Sequence, residues 1–114
     1  MLPKNKRIRL NKDFDHTFKT GQSFYGQILG IKAAKNILPG NRLGIIINTK
    51  VSKKAVVRNR LKRQIREIVK KEFSLLTTGH DLVIIVFPPI IDKNFLEITA
   101  VIKTGLKRLG LYKG

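Results

Sequence analysis

The chain has 114 residues, carries 24 Lys and Arg against seven Asp and Glu for a formal net charge of +17, and contains no cysteine. That length suits one domain spanning 1–114, able to bury roughly 60–70% of its unfolded surface without staples. The missing thiols exclude disulfides and thiolate zinc sites and fit a reducing, cytoplasmic setting, and the opening MLPKNKRIRLNK, charged throughout, reads as neither a secretory signal nor a membrane anchor.

In chain order, Asn11 is placed to cap a helix carrying Phe14 and Phe18, with Asp13 in its first turn and Gly21 as its stop. Ser23 to Tyr25 and Gln27 to Ala33 read as extended, and Gly26 between them marks a bulge or bend. Pro39-Gly40-Asn41 makes a turn into Arg42 to Asn48, and the two flanking strands are expected to pair as a hairpin. A long helix follows over Ala55 to Phe73. Asp81 to Phe87, almost wholly apolar, reads as a central strand ended by Pro88-Pro89. Asn94 and Glu97 form a capping-box pair opening a last helix whose stripe is Phe95, Ile98, Val101 or Ile102, Leu106 and Leu109, and Gly105 is expected to fray or bend it. The order αβββαβα is that of an α+β two-layer sandwich.

Ten of the 24 basic residues fall between Lys50 and Lys71, where the one acid is Glu67. They alternate with Val56, Val57, Leu61, Ile65, Ile68 and Val69, so one segment holds an apolar stripe and a cationic face. On a wheel of about 100° per residue drawn from Val57, the stripe occupies about a third of the circumference, with Asn59, Lys62, Arg63, Arg66 and Lys70 opposite and Arg58 and Arg60 on its two borders. A solubility face mixes signs and gains from Glu-to-Lys pairs. This face concentrates one sign, and a polyanion would relieve its self-repulsion. Two further basic blocks, Lys4, Lys6, Arg7, Arg9 and Lys12 near the start and Lys103, Lys107, Arg108 and Lys113 near the end, extend the same field. Nucleic acid is favoured over a membrane surface, because so small a domain needs the helix's apolar residues for its core.

The side chains hold no assembled chemistry. A nuclease would need clustered carboxylates for magnesium or a histidine with an activating partner, yet the acids are dispersed, and Asp13 and Asp15 lie about 200° apart on a helix. His16 reads as solvated and His80 as part of a turn, and no glycine-rich phosphate loop is present. The expected metal-ligand set is none. For binding, arginine grips phosphate with two donors, Asn59 suits a base edge or 2′-hydroxyl, and Phe14, Phe18, Phe24 and Tyr25 are candidates to stack on unpaired bases, with core packing as the alternative role for Phe14 and Phe18.

The run Arg58-Asn59-Arg60-Leu61-Lys62-Arg63-Gln64-Ile65-Arg66-Glu67, with Ala55 ahead of it, resembles the RNRxKRxxRE motif of the bacterial ribonuclease P protein subunit. The opening Arg7-x-Arg9-Leu10-x-Lys12-x-Phe14, with Phe18 and Gly21, is similar to that family's N-terminal pattern, as are Leu43-Gly44-Ile45 before the helix and Asp81 to Val86 after it. The resemblance covers nearly the whole chain. It implies a fold like domain 2 of ribosomal protein S5, with a left-handed βαβ crossover around the motif helix. It further implies a job in which a catalytic RNA, using magnesium, removes the 5′ leader of precursor transfer RNA while a monomeric protein, paired one to one with that RNA, binds RNA and leader.

By the same resemblance, Arg58, Asn59, Arg60, Lys62, Arg63 and Arg66, with their neighbours Lys53, Lys54 and Lys70, would contact catalytic RNA. Phe14, Phe18 and Lys50, with Arg7, Arg9 and Lys12, would border a leader cleft between the first helix and the sheet. Two positions depart from the family pattern. Thr49-Lys50 keeps one of two usual lysines, and Gln27-Ile28-Leu29-Gly30-Ile31-Lys32 holds no aromatic residue, which leaves phosphate contacts as that strand's expected part. The rival readings are a structural RNA-binding protein of ribosomal type and an autonomous protein nuclease.

Overall fold

A computed structural model describes residues 6–8 and 11–113, residues 11 and 12 by their backbone alone. Helix α1 (Asn11–Thr20) leads to strands β1 (Gln22–Tyr25), β2 (Leu29–Lys35) and β3 (Arg42–Ile46). Helix α2 (Ala55–Glu72), strand β4 (His80–Val86) and helix α3 (Phe95–Arg108) complete the order, with short 3-10 turns at Phe73–Leu75 and Pro88–Asp92. This is the expected αβββαβα succession.

The four strands lie in the order β1-β2-β4-β3. The expected hairpin between β2 and β3 is therefore not formed: β4 separates them, antiparallel to β2 and parallel to β3. Two asparagines explain this. The loop between β2 and β3 turns its polar groups toward the segment entering β4. Asn41 Nδ2 donates to the Thr77 carbonyl at 2.9 Å, His80 N donates to Asn41 Oδ1 at 2.8 Å, and Asn36 N donates to the Gly79 carbonyl at 2.8 Å. Strand β4 is apolar on both faces and takes the interior position where both are covered. The close hairpin is β1 with β2, reversed at Gly26, whose N–H donates to the Leu29 carbonyl.

Alternation along the strands assigns the faces. Leu29, Ile31, Leu82 and Ile84 point to the layer made by α2 and α3 and join Leu61, Ile65, Ile98, Ile102 and Leu106 in one core. Each such burial contributes roughly 1.5–3 kcal/mol. The opposite face carries Gly30, Lys32, Gly44 and Val83, and α1 covers only part of it. Gly44 admits that helix, since a Cβ there would lie 2.5 Å from the Phe14 ring.

Gly105 corrects the expectation of a frayed last helix, because α3 runs unbroken through it. A side chain at that position would stand 2.6 Å from the Phe24 ring and 2.7 Å from Ile31. Gly105→Ala gains about 1 kcal/mol in helix propensity but overpacks this contact at a cost of about 1–3 kcal/mol. A net loss in urea unfolding is expected, and a variant more stable than the parent would show that Phe24 simply gives way. The capping box is present as expected, with Glu97 N donating to Asn94 Oδ1 at 2.8 Å and Asn94 N donating to Glu97 Oε1 at 3.2 Å. Among the described residues no helix is long and apolar enough to cross a membrane.

Candidate nucleic-acid interface

Helix α2 forms where its sequence repeats apolar residues at helical spacing, and it buries Leu61, Ile65, Ile68 and Val69 against the sheet and α3. Burial of that stripe turns Asn59, Arg60, Arg63 and Lys70 to solvent and leaves Lys62 and Arg66 half-buried beside them. Asn59, Lys62, Arg63 and Arg66 line an open groove of ≈ 600 Å³ whose apolar floor is Val56, 71% exposed. Val56 therefore sits outside the stripe. A valine among cations offers a base or ribose an apolar contact between phosphate grips.

Glu67, the one acid exposed on α2, forms no ion pair with this face. The ion pairs among the described residues involve Arg42 and Lys93, not the cations of α2. At the N-terminus of α2, Lys54 stands at the cap position without a side-chain cap, no acid occupies the first turn, and Lys53 and Lys54 are exposed. The positive end of the helix dipole thus adds to the lysines. Arg58 differs from its neighbours. Its guanidinium donates to the Ser52 carbonyl at 2.8 Å and ties the preceding loop to the helix.

The residues expected at a leader cleft divide between two places. Phe18 lies at the edge of the open sheet face, 38% exposed, with the Lys32 ammonium 5.6 Å from its ring centroid. Phe14 instead packs on Gly44, and with Arg7, Ile8 and Arg66 it borders a cavity of ≈ 170 Å³. Arg7 is brought there because Ile8 N donates to the Leu43 carbonyl at 2.9 Å and extends the sheet past β3. It thus neighbours Arg66 of the motif helix, and its Nε is buried with no partner among the described residues. Lys50 is exposed in the turn after β3. Arg9 lies outside the described residues, as do the side chains of Asn11 and Lys12.

Two functional features escaped the reading of the sequence. One is Lys32, whose signal is a cation set between apolar residues in the middle of a strand, where it points to the open face beside Tyr25. That ammonium, with Ser23 adding to it, holds the Tyr25 phenol below its ordinary pKa. The other is a buried ion pair. Arg42 donates to Asp81 through Nε at 2.9 Å and through a terminal nitrogen at 2.6 Å, and to Asp13 at 3.2 Å. Asp81, and secondarily Asp13, holds the Arg42 guanidinium even more firmly charged than usual.

The remaining acids are similarly occupied or scattered. Tyr112 donates to buried Glu72 at 2.6 Å, and burial together with that carboxylate pushes the phenol well above its ordinary pKa. Among the described residues no three His, Asp or Glu converge as metal ligands. With Asp13 and Asp81 turned to Arg42, the residues present do not fit a magnesium site. His16 and His80 both line a cleft of ≈ 550 Å³, but the lining residues include no carboxylate to activate either imidazole.

A cationic helical face beside a half-open sheet, with Asp13, Asp81 and Glu72 held in structural contacts, is that of an α+β RNA-binding protein. The family model for ribonuclease P matches residues 2–110. The ribonuclease P protein component of Clostridium botulinum is 36% identical over 110 residues, 96% of this chain and 98% of the relative, and that of Microcystis aeruginosa is 34% identical over 99% and 98%. Among solved structures, the Staphylococcus aureus RNase P protein superposes with a TM-score of 0.87 at 30% identity, over 95% of this chain and 98% of that one. The chain belongs to the ribonuclease P protein family. It is the protein component of the endoribonuclease that matures the 5′ ends of transfer RNA, and its partner is a ribonuclease P RNA.

Proposed function

We propose that the chain docks on ribonuclease P RNA through the cationic face of α2 and holds the 5′ leader of precursor transfer RNA on the sheet face left open beside α1. The observation that carries the docking half is the α2 face itself, where Asn59, Arg60, Lys62, Arg63, Arg66 and Lys70 stand together without an acid partner. Lys53 and Lys54 extend that surface at the uncapped helix start. Phosphates of a folded RNA meet arginine forks there and displace counterions, which makes the association strongly salt-dependent. Arg58 acts mainly by fixing the loop before the helix.

The leader half rests on Phe18 and Lys32 beside the exposed part of the sheet. With Asp13 and Asp81 held by Arg42 and the other acids dispersed, the protein binds and orients. In this reading the RNA subunit and its magnesium ions supply the hydrolysis of the phosphodiester. The protein raises affinity for precursor over mature transfer RNA by adding leader contacts and by screening phosphates where two RNAs meet. It works in the cytoplasm, one protein to one RNA.

Reconstitution with and without ribonuclease P RNA, assayed for 5′ processing at low magnesium, tests this reading. Stimulation is expected only when the RNA is present. Cleavage by the protein alone would overturn the division of labour, and no effect on the RNA's reaction would point to a purely structural RNA binder.

A further inference from the structure

Tyr25 ends strand β1 opposite Gly30 of β2, and its ring lies against that glycine, where a Cβ would come within 3.0 Å of the Tyr25 Cδ1. The absent side chain lets the ring settle onto the sheet. Tyr25 is nevertheless 62% exposed, which leaves it accessible to a flat partner. An aromatic ring seated on the sheet and still largely exposed suits stacking by an unpaired base.

Lys32 is held beside it. Its ammonium stands 5.6 Å from the ring centroids of both Phe18 and Tyr25 and donates to Ser23 Oγ at 3.0 Å. A lysine left to solvent samples many rotamers, and ordering it on binding costs affinity. Here three contacts, two from β1 and one from α1, restrict it beforehand. One of its three donors is used and two remain. Among the described residues no acid forms an ion pair with Lys32, and Asp13 and Asp81 are turned to Arg42.

We propose that Tyr25, Lys32 and Ser23 form a subsite for one unpaired nucleotide, in which the Tyr25 ring carries the base and the Lys32 ammonium, positioned by Ser23, takes the adjoining phosphate. The subsite rests on the leader-binding reading and adds an aromatic platform from β1 to a cleft whose β2 wall has none. Stacking on the ring is insensitive to base identity and to salt, whereas the ammonium's share falls with added salt. The two halves are therefore separable by experiment.

The test uses the reconstituted holoenzyme and equilibrium binding of precursor transfer RNA with a short unstructured leader, beside mature transfer RNA, over a salt series. Tyr25→Ala is expected to weaken precursor binding about tenfold with an unchanged salt slope and unchanged affinity for mature transfer RNA, while Tyr25→Phe retains binding. Lys32→Met is expected to lower the slope by about 0.7, the share of one single-strand phosphate. If the parent discriminates precursor from mature and Tyr25→Ala discriminates equally well, the subsite is wrong and leader binding stands. Equal weakening toward both substrates, or a Tyr25→Phe loss as large as that of alanine, also overturns it. A parent that does not discriminate overturns the leader reading and the subsite together.

Discussion

Replacing Arg60 and Arg63 together by alanine is expected to weaken binding to ribonuclease P RNA by about 100- to 10,000-fold, if each gives up a charged hydrogen bond of ~1.5–3 kcal/mol. Both side chains are exposed on α2, and neither takes part in an ion pair. Alanine is the better helix former, so α2 keeps its stripe and its place on the sheet. The salt dependence should flatten in step, with the slope of log affinity against log salt falling by about 0.7–0.9 for each phosphate no longer neutralised. Filter binding or anisotropy at several salt concentrations reads both quantities, and the thermal midpoint of the free protein serves as control. An unchanged slope would remove α2 as the docking surface. Arg58→Ala should behave differently, because it frees the Ser52 carbonyl from its clamp and lowers stability as well as affinity.

The largest expected loss of stability comes from Asp81→Ala. Its carboxylate, 3% exposed, accepts two hydrogen bonds from Arg42, whose side chain is 16% exposed, and one from Asn36 Nδ2 at 2.8 Å. Removing it leaves a largely buried guanidinium with Asp13 alone at 3.2 Å. Breaking such a pair from one side costs about 3–5 kcal/mol, which approaches the whole stability of a small domain, about 5–15 kcal/mol. Arg42 itself does not make the pair pH-sensitive near neutrality. Its pKa is raised in the fold, so its contribution is complete below the ordinary arginine value and is lost only as pH rises beyond that. Urea unfolding at neutral pH checks the prediction, and Asp81→Asn should lose less because an acceptor remains. A loss below ~1 kcal/mol, the scale of an exposed pair, would contradict it.

This ion pair also marks the boundary of what could be read along the chain. Helix α2, its buried stripe and its cationic face were legible because a helix repeats every few residues and its pattern is complete within one segment. The capping box at Asn94 and Glu97 was equally local. The motif in α2 and its flanking patterns carried the family by themselves, since they are matters of residue type and spacing.

Strand order was not legible. Pro39-Gly40-Asn41 announces a reversal but does not say which strand will be met, and that was decided by hydrogen bonds that join Asn36 and Asn41 with Thr77, Gly79 and His80. Gly105 misled because its reason lies in the ring of Phe24 from another strand. Arg7 and Arg66 became neighbours through the bridge to Leu43, and Lys32 found Phe18 and Tyr25 through the pairing of β1 with β2 and the seat of α1 on Gly44. The sequence by itself determined the elements, the charged face and the family, whose causes act within a turn or two of chain. The tertiary structure alone decided the open sheet face and the side chains gathered on it, because those contacts join residues far apart in sequence and exist only once the strands have chosen their neighbours.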